Sequence, residues 1–298
     1  MERILTVEIK KEYEGCTIKN ILLNKLGISH KMITLLKRRE DGITINKSLA
    51  FVTAVVHAGD ILILKLEEKD DCSKDIVPTQ GSLDIVYEDC DMLIVNKPAN
   101  LPVHPSKGHF DDSLANIVAW YYQSKGESFI FRAVNRLDSG TSGLMIIAKN
   151  AHIQNKLSMQ MHSGELRREY IAIACGCVLQ DEGIINKPIR RIPNEATIKR
   201  EVNEDGDNSI THYKVLKRTS KYSLLSLELE TGRTHQIRVH LAHIGHPILG
   251  DFLYGTECKN IISRHALHSE KITVKHPMTN EILSFSRPMP DDMLSILI

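Results

Sequence analysis

Apolar positions follow two regimes along the chain. Up to residue 66 the segments are short and mixed in period. Residues 4–9 read as a strand, and Ile18, Ile21, Leu22 and Leu26 recur at helical spacing over 17–26, where Gly27 stands at a C-cap position. Ser29 is placed to cap a second helix over 30–36, which runs into Lys37-Arg38-Arg39. A turn at Asp41-Gly42, a strand at 43–45 and a turn at 58–60 into a strand at 61–66 complete a small α/β unit. Residues 67–81 lack periodicity and contain Pro78 and Gly81, so they read as a mobile linker. From residue 82 the pattern predicts mainly strands, at 83–87, 92–96, 133–137, 144–148, 170–176, 183–189, 211–217, 223–231 and 272–275. Helices are predicted at 112–122, 151–161 and 234–245. Strands succeed one another more often than they alternate with helices. That favours an α+β fold with a mixed, largely antiparallel sheet over a doubly wound parallel one. The expected organisation is a small unit at 1–66, a linker at 67–81 and a larger domain at 82–298.

Composition narrows the class. With 298 residues, 42% hydrophobic and 25% charged, the chain is long enough for a sizeable core and too balanced to be disordered or fibrous. No apolar run approaches the roughly 20 residues of a membrane helix. The first fifteen residues mix acids and bases without an apolar stretch, which argues against a secretory signal and points to the cytoplasm. Six scattered cysteines, with no C-x-x-C pair, read as reduced thiols rather than a disulfide framework or a zinc site. The net charge of +1 hides an asymmetry. Eleven Lys/Arg face seven Asp/Glu up to Lys65, whereas two face nine between Leu66 and Asp91. A basic module followed by an acidic connector marks a domain boundary.

Four polar clusters exceed what packing requires. In NRLDSGTSGL (135–144), Arg136 and Asp138 sit at i, i+2 and would share one face of a strand. They form either a salt-bridged surface pair or an active-site carboxylate with a basic neighbour. In the second cluster, TGRTHQIRVHLAHIGHP (231–247), a strand turns at Gly232 into a helix expected to be capped by Thr234. Its four histidines lack zincin spacing, so no metal is expected. Arg233 and Arg238 near a helix start oppose the macrodipole, which suggests that they face carboxylate or phosphate. The remaining two are NKPANLPVHP (96–105), presenting Lys97 and His104, and RREYIAIACG (167–176), with two arginines before Tyr170.

In this order these clusters resemble the RluA/RluD type of RNA pseudouridine synthase, over residues 83–291. NKPANLPVHP is similar to NKP-x-G-x-x-x-HP with Asn100 for glycine, and NRLDSGTSGL to HRLD-x-x-TSGL with Asn135 for histidine. RREYIAIACG is similar to K-x-Y-x-A-x-x-x-G with Arg168 for lysine, and TGRTHQIRVHLAHIGHPILGD-x-x-YG is nearly unaltered. RHALH (264–268), HPMT (276–279) and PMPD (288–291) match the closing segments. The first 66 residues, through LGIS, LLKRREDGITINKS and AGDIL, resemble the S-four-type RNA-binding module.

The resemblance implies an isomerase that detaches a uracil from its ribose, turns it and rejoins it through carbon 5, with no cofactor and no metal. It implies Asp138 as the catalytic carboxylate, attacking the sugar or abstracting its 2′ proton. Tyr170 would stack on the target base, and Arg238 would pair with Asp138, which favours the ionised form. Arg136 would fill the gap left by the flipped nucleotide. Lys97, Arg168, Arg233 and His235, with Lys37, Arg38 and Arg39 of the basic module, would contact RNA. The implied partner is RNA, ribosomal by preference and transfer RNA as the alternative, bound by a cytoplasmic monomer with neither DNA nor membrane as partner.

Overall fold

The computed structural model describes residues 2–67, 76–193 and 198–297. Residues 2–67 form an antiparallel sheet in the order β1-β4-β2-β3, from β1 (Glu2–Glu8), β2 (Ile43–Ile45), β3 (Ser48–Leu49) and β4 (Ile61–Glu67). The first predicted helix is a short α1 (Ile18–Asn20) that continues as a π turn, Ile21–Lys25, before Gly27 turns the chain at φ 64°. Ser29 caps α2 (His30–Lys37) by accepting the Met32 N–H. Ile18, Ile21, Leu22, Leu36, Leu62 and Leu64 form this unit's own core.

Most of the acidic connector, residues 68–75, lies outside the described residues. Its second half is not the mobile linker expected. Asn116 of α3 (Leu114–Ser124) donates to the Val77 carbonyl at 2.8 Å and accepts the Thr79 N–H, and Ile76 packs on the main core. An added Cβ on Gly81 would lie 2.8 Å from Ile117, so glycine lets the connector approach the helix closely.

The remaining chain builds one nine-stranded mixed sheet. Its strands are β5 (Asp84–Glu88), β6 (Met92–Lys97), β7 (Ser142–Ala148), β8 (Arg167–Cys175), β9 (Glu182–Asn186), β12 (Ile210–Arg218), β13 (Tyr222–Leu229), β14 (Leu267–Lys275) and β15 (Ile282–Ser286). The order is β5-β6-β7-β14-β8-β13-β12-β9, with β15 pairing β14. A separate hairpin joins β10 (Ile189–Arg191) to β11 (Arg200–Val202). The helices α5 (Gln236–His243) and α6 (Asp291–Leu294) pack with α3 into the core on one face of the sheet, and α4 (Ala151–Ser163) packs on the other.

Among the described strands, only β7 and β14 pair in parallel. β7 is buried along its whole length, which explains its unbroken SGLMIIA run. At this seam Ser142 bonds His268, and Ser269 donates to the Leu144 carbonyl. Gly143, at φ 109°, would drive an added Cβ to within 2.2 Å of the Ser269 carbonyl oxygen. The seam therefore requires glycine there. The α+β expectation, with its largely antiparallel sheet, is borne out.

Candidate active site

The loop that carries Asp138 leads into β7. Residues 133–137, expected as a strand, are irregular and keep one bridge, from Ala133 to Ile147. Asn135 is the physical reason. Its side chain accepts the Ile146 N–H at 2.8 Å and donates to the Leu144 carbonyl, so a side chain takes positions that strand backbone would otherwise fill. Asn135, one of the departures from the motif, thus braces the loop against β7.

Lys97, expected to contact RNA, is instead a buried brace. It is fully buried, and its Nζ donates to the carbonyls of Pro98, Leu101 and Ser139 at 2.7, 2.9 and 3.0 Å. Burial, with Arg264 nearby, pushes its pKa down to about 7 while Asp138 pulls the other way. Position in the motif announces a cation, but burial removes it from any RNA surface. Arg264 and His265 complete the support, donating to the Gly140 carbonyl and bonding Thr141 at 2.7 Å.

Across the seam, α5 presents Arg238. The expected Thr234 cap is absent. His235 precedes the helix in the left-handed region at φ 60°, and Thr234 instead accepts from Arg136 at 3.3 Å. Arg238, 3% exposed, grips Asp251 with Nε at 2.7 Å and Nη2 at 2.8 Å. Its remaining Nη1 donates to Asp138 Oδ2 at 2.9 Å. Burial works against the charge, but Asp251 and Asp138 outweigh it and raise the Arg238 pKa. The same fork carries Asp251, itself fully buried, below the ordinary carboxylate value.

His235 Nε2 lies 3.8 Å from the same Asp138 oxygen, and its Nδ1 is 2.8 Å from the Tyr254 hydroxyl. Tyr254 also accepts the Arg200 N–H, so it ties His235 to the β10–β11 hairpin. Burial lowers the His235 pKa and keeps the ring neutral near pH 7.

Arg136, Asp138, Arg168, Tyr170, Arg233 and His235 line one cavity of about 310 Å³, near the lower bound of small-ligand sites. Tyr170 and Arg168, two apart on β8, reach it from one strand face. Tyr170 is 4% exposed, and burial raises its pKa. Arg233 stands half-exposed at the rim, 3.5 Å from Asp207. Lys37, Arg38 and Arg39 do not reach this cavity. Lys37 and Arg38 are exposed at the end of α2, whereas Arg39 is half-buried and donates to the Lys65 carbonyl.

Asp251 and Tyr254 are site residues that the sequence did not announce. Their signal was the GD-x-x-YG string, whose aspartate organises Arg238 from behind.

Among the described residues, one trio has its possible ligand atoms within 4.8 Å of one another: Asp89, Asp91 and His276. Asp89 accepts from Asp91 N, Met92 N, Tyr87 and His276 Nε2, and His276 Nδ1 accepts from Met278 and Thr279 N. These bonds make Asp89 and His276 caps of two turns. The histidines of 235–246 are dispersed, His240 to Thr211 and the Lys187 carbonyl, His246 to the Cys175 carbonyl.

Neutral buried histidines set the acid limit. His152 and His265 are 4% and 3% exposed, and burial pushes both pKa values down to about 4. Between 6.5 and 4 the unfolded chain takes up protons that the folded chain refuses, so stability falls as pH drops through that window. Each contributes a loss of up to about 3 kcal/mol. The melting temperature should therefore decline steadily from pH 6.5 to 4, and a flat profile would contradict the assignment.

Comparison with known proteins gives this geometry a family. Residues 91–243 match the RNA pseudouridylate synthase domain, and residues 5–62 the RluD ribosomal pseudouridine synthase N-terminal domain. An uncharacterized RNA pseudouridine synthase of Bacillus subtilis, YhcT, is 39% identical over 272 residues, spanning 91% of this chain and 88% of that one. The ribosomal large subunit pseudouridine synthase D of Pasteurella multocida is 41% identical over 202 residues, 68% of this chain and 61% of that one. The solved human RNA pseudouridylate synthase domain containing 1 covers 70% of this chain and 86% of its own, at TM-score 0.58 and 26% identity. A matched domain that contains Asp138, Tyr170 and Arg238, together with collinear relatives across nine-tenths of the chain, places it in the RluA/RluD-type RNA pseudouridine synthases, isomerases that convert uridine in RNA to pseudouridine.

Proposed function

We propose that this chain isomerises uridines of large-subunit ribosomal RNA, acting as a monomer in the cytoplasm on RNA and not DNA. The observation that carries the reading is the Asp138–Arg238–Asp251 assembly in a nucleoside-sized cavity beside Tyr170. Relatives named for the large ribosomal subunit supply the substrate class. No helix among the described residues is long and apolar enough to cross a membrane.

A uridine inside a helix is out of reach, so it enters this cavity flipped, at a cost of a few kcal/mol. Arg136, exposed at the mouth and tethered to Thr234, fills the vacated stack. Asp138 either attacks the sugar or removes its 2′ proton, and the C1′–N1 bond breaks. The freed uracil turns against Tyr170 and C1′ bonds to C5. The C5 proton then leaves, N1 ends protonated, and the product is an isomer of the substrate. Arg238 fixes the Asp138 oxygen throughout, and Asp251 fixes Arg238. Comparing pseudouridine maps of ribosomal RNA from cells with and without the gene tests the assignment. One or more large-subunit positions should revert to uridine, and reversion confined to transfer RNA would overturn the substrate class.

Residues 1–66 supply affinity, with Lys37 and Arg38 touching phosphate at a distance from the reacting uridine. Both are exposed and solvated in the free protein. Replacing them together by Gln in the full chain should leave turnover at saturating RNA nearly unchanged. The slope of log affinity against log salt should flatten by about 0.7–0.9 for each phosphate that is no longer neutralised. An unchanged slope with unchanged affinity would end this role.

A further inference from the structure

One group in the cavity is incompletely satisfied. Arg168 is 96% removed from solvent, yet its Nε has no hydrogen-bond partner, and the bond from its Nη2 to the Thr231 carbonyl is long at 3.5 Å. Among the described residues no carboxylate forms an ion pair with it within 4.0 Å. The neighbouring acid, Glu169, pairs instead with Lys271 on the other side of β8. A buried guanidinium without an anion is costly, because desolvation of the charge is not repaid.

Gly232 makes room for this group. A Cβ built on it would meet Arg168 Nη1 at 3.0 Å, and Gly232 has no positive φ that would by itself call for glycine. The chain thus keeps a side chain away from one face of the fork where that fork borders the cavity. The cavity wall also carries an excess of cations. Arg136, Arg168 and Arg233 line it; Arg233 has Asp207 at 3.5 Å, and the single lining carboxylate among the described residues, Asp138, is already bonded to Arg238, so the charges on Arg136 and Arg168 are left without an acid. A uracil ring is neutral and leaves that excess in place. A phosphate removes it and matches the planar fork of arginine with two parallel hydrogen bonds.

We propose that Arg168 binds the backbone phosphate next to the flipped target uridine, inside the catalytic cavity, at a place kept open by Gly232. The inference rests on the reading of this cavity as the pseudouridine-forming site. It adds that one phosphate is bound deep within the protein, apart from those contacted by residues 1–66. The phosphate positions the nucleotide, so Arg168 acts by orientation rather than on the reacting atoms.

The test uses the full-length protein and a ribosomal stem-loop centred on a mapped uridine. A single neutral methylphosphonate linkage is moved through the linkages around that uridine, with a 2′-methoxy group on the residue before it, and equilibrium affinity is read. For the wild type, one linkage should cost about tenfold or more, the worth of a charge-assisted hydrogen bond. In Arg168→Gln the unmodified RNA should already show that loss, and neutralising the same linkage should add nothing. Arg168→Lys, which keeps the charge without the fork, should fall between the two and serves alone if the Gln variant does not fold.

Additive losses at every linkage, or wild-type affinity in Arg168→Gln, would overturn the proposal, the former pointing to a base carbonyl as the ligand. The wild type scanned alone is also decisive, because no linkage standing out would mean no buried phosphate site. If instead the wild type formed no pseudouridine in the unmodified RNA, the reading of the cavity would fail, and that result is separate from the affinity comparison.

Discussion

Asp138→Asn should abolish pseudouridine formation while leaving the fold and RNA binding in place. The carboxylate is one-quarter exposed, so Asn fits without a new cavity. Arg238 does not become an orphan either, because two of its nitrogens remain on Asp251 at 2.7 and 2.8 Å. Only the negative charge at the reacting position is removed. Its removal should lower single-turnover rates by about 10³-fold or more, the scale for a positioned base or nucleophile. Melting temperature and affinity measured beside the rate separate chemistry from folding. Turnover within tenfold of wild type would show that another group carries the reaction.

Arg238→Lys should fail for a geometric reason that the charge count conceals. The guanidinium serves two carboxylates from opposite edges, Asp251 by Nε and Nη2 and Asp138 by Nη1. An ammonium is a point charge on a flexible stem and cannot span both. If it stays on Asp251, which is fully buried, Asp138 loses its anchor. If it reaches Asp138, a buried carboxylate is left uncompensated, which costs about 3–5 kcal/mol when its counter-ion is removed outright. Activity should fall by about 10²-fold or more on either branch. A lowered melting temperature would mark the second branch. Near-normal turnover would mean that the Arg238–Asp138 contact is dispensable.

The contrast between these residues shows what a sequence discloses. Asp138, Tyr170 and Arg238 were legible because their strings, taken together and in order, resemble the pseudouridine synthase motifs, and the structure brings all three to one site. Lys97 and Asp251 were harder. Both are charged, and nothing local says that one is wrapped by three carbonyls or that the other grips an arginine thirteen residues earlier. The irregular loop at 133–137 has strand-like periodicity, and a single Asn135 side chain overrides it through partners nine and eleven residues away. Secondary structure survived best where the pattern was long, as in β13 with its alternating burial. The connector misled because missing periodicity with Pro78 and Gly81 reads as mobility, whereas Ile76 and Gly81 give residues 76–81 an apolar contact and a close fit on α3.

The parallel seam has a further consequence, for how the protein reaches its working state. One flank of the large sheet, β5-β6-β7, comes from residues 84–148, and the other, β8-β13-β12-β9, from residues 167–229. Pairs within each flank lie at most 59 residues apart, about half the separation that the seam must bridge. β14 unites them, and its bonds to β7 join residues 125 or 126 positions apart. Closing so long a loop is slow, because chain entropy is given up before the seam can form. Asp138 belongs to the first flank, and Arg238 and Asp251 follow the second. A ribosome-bound chain that has not yet released β14 therefore holds the parts of an enzyme without the enzyme, and activity should emerge in refolding with the slow phase rather than with the appearance of secondary structure.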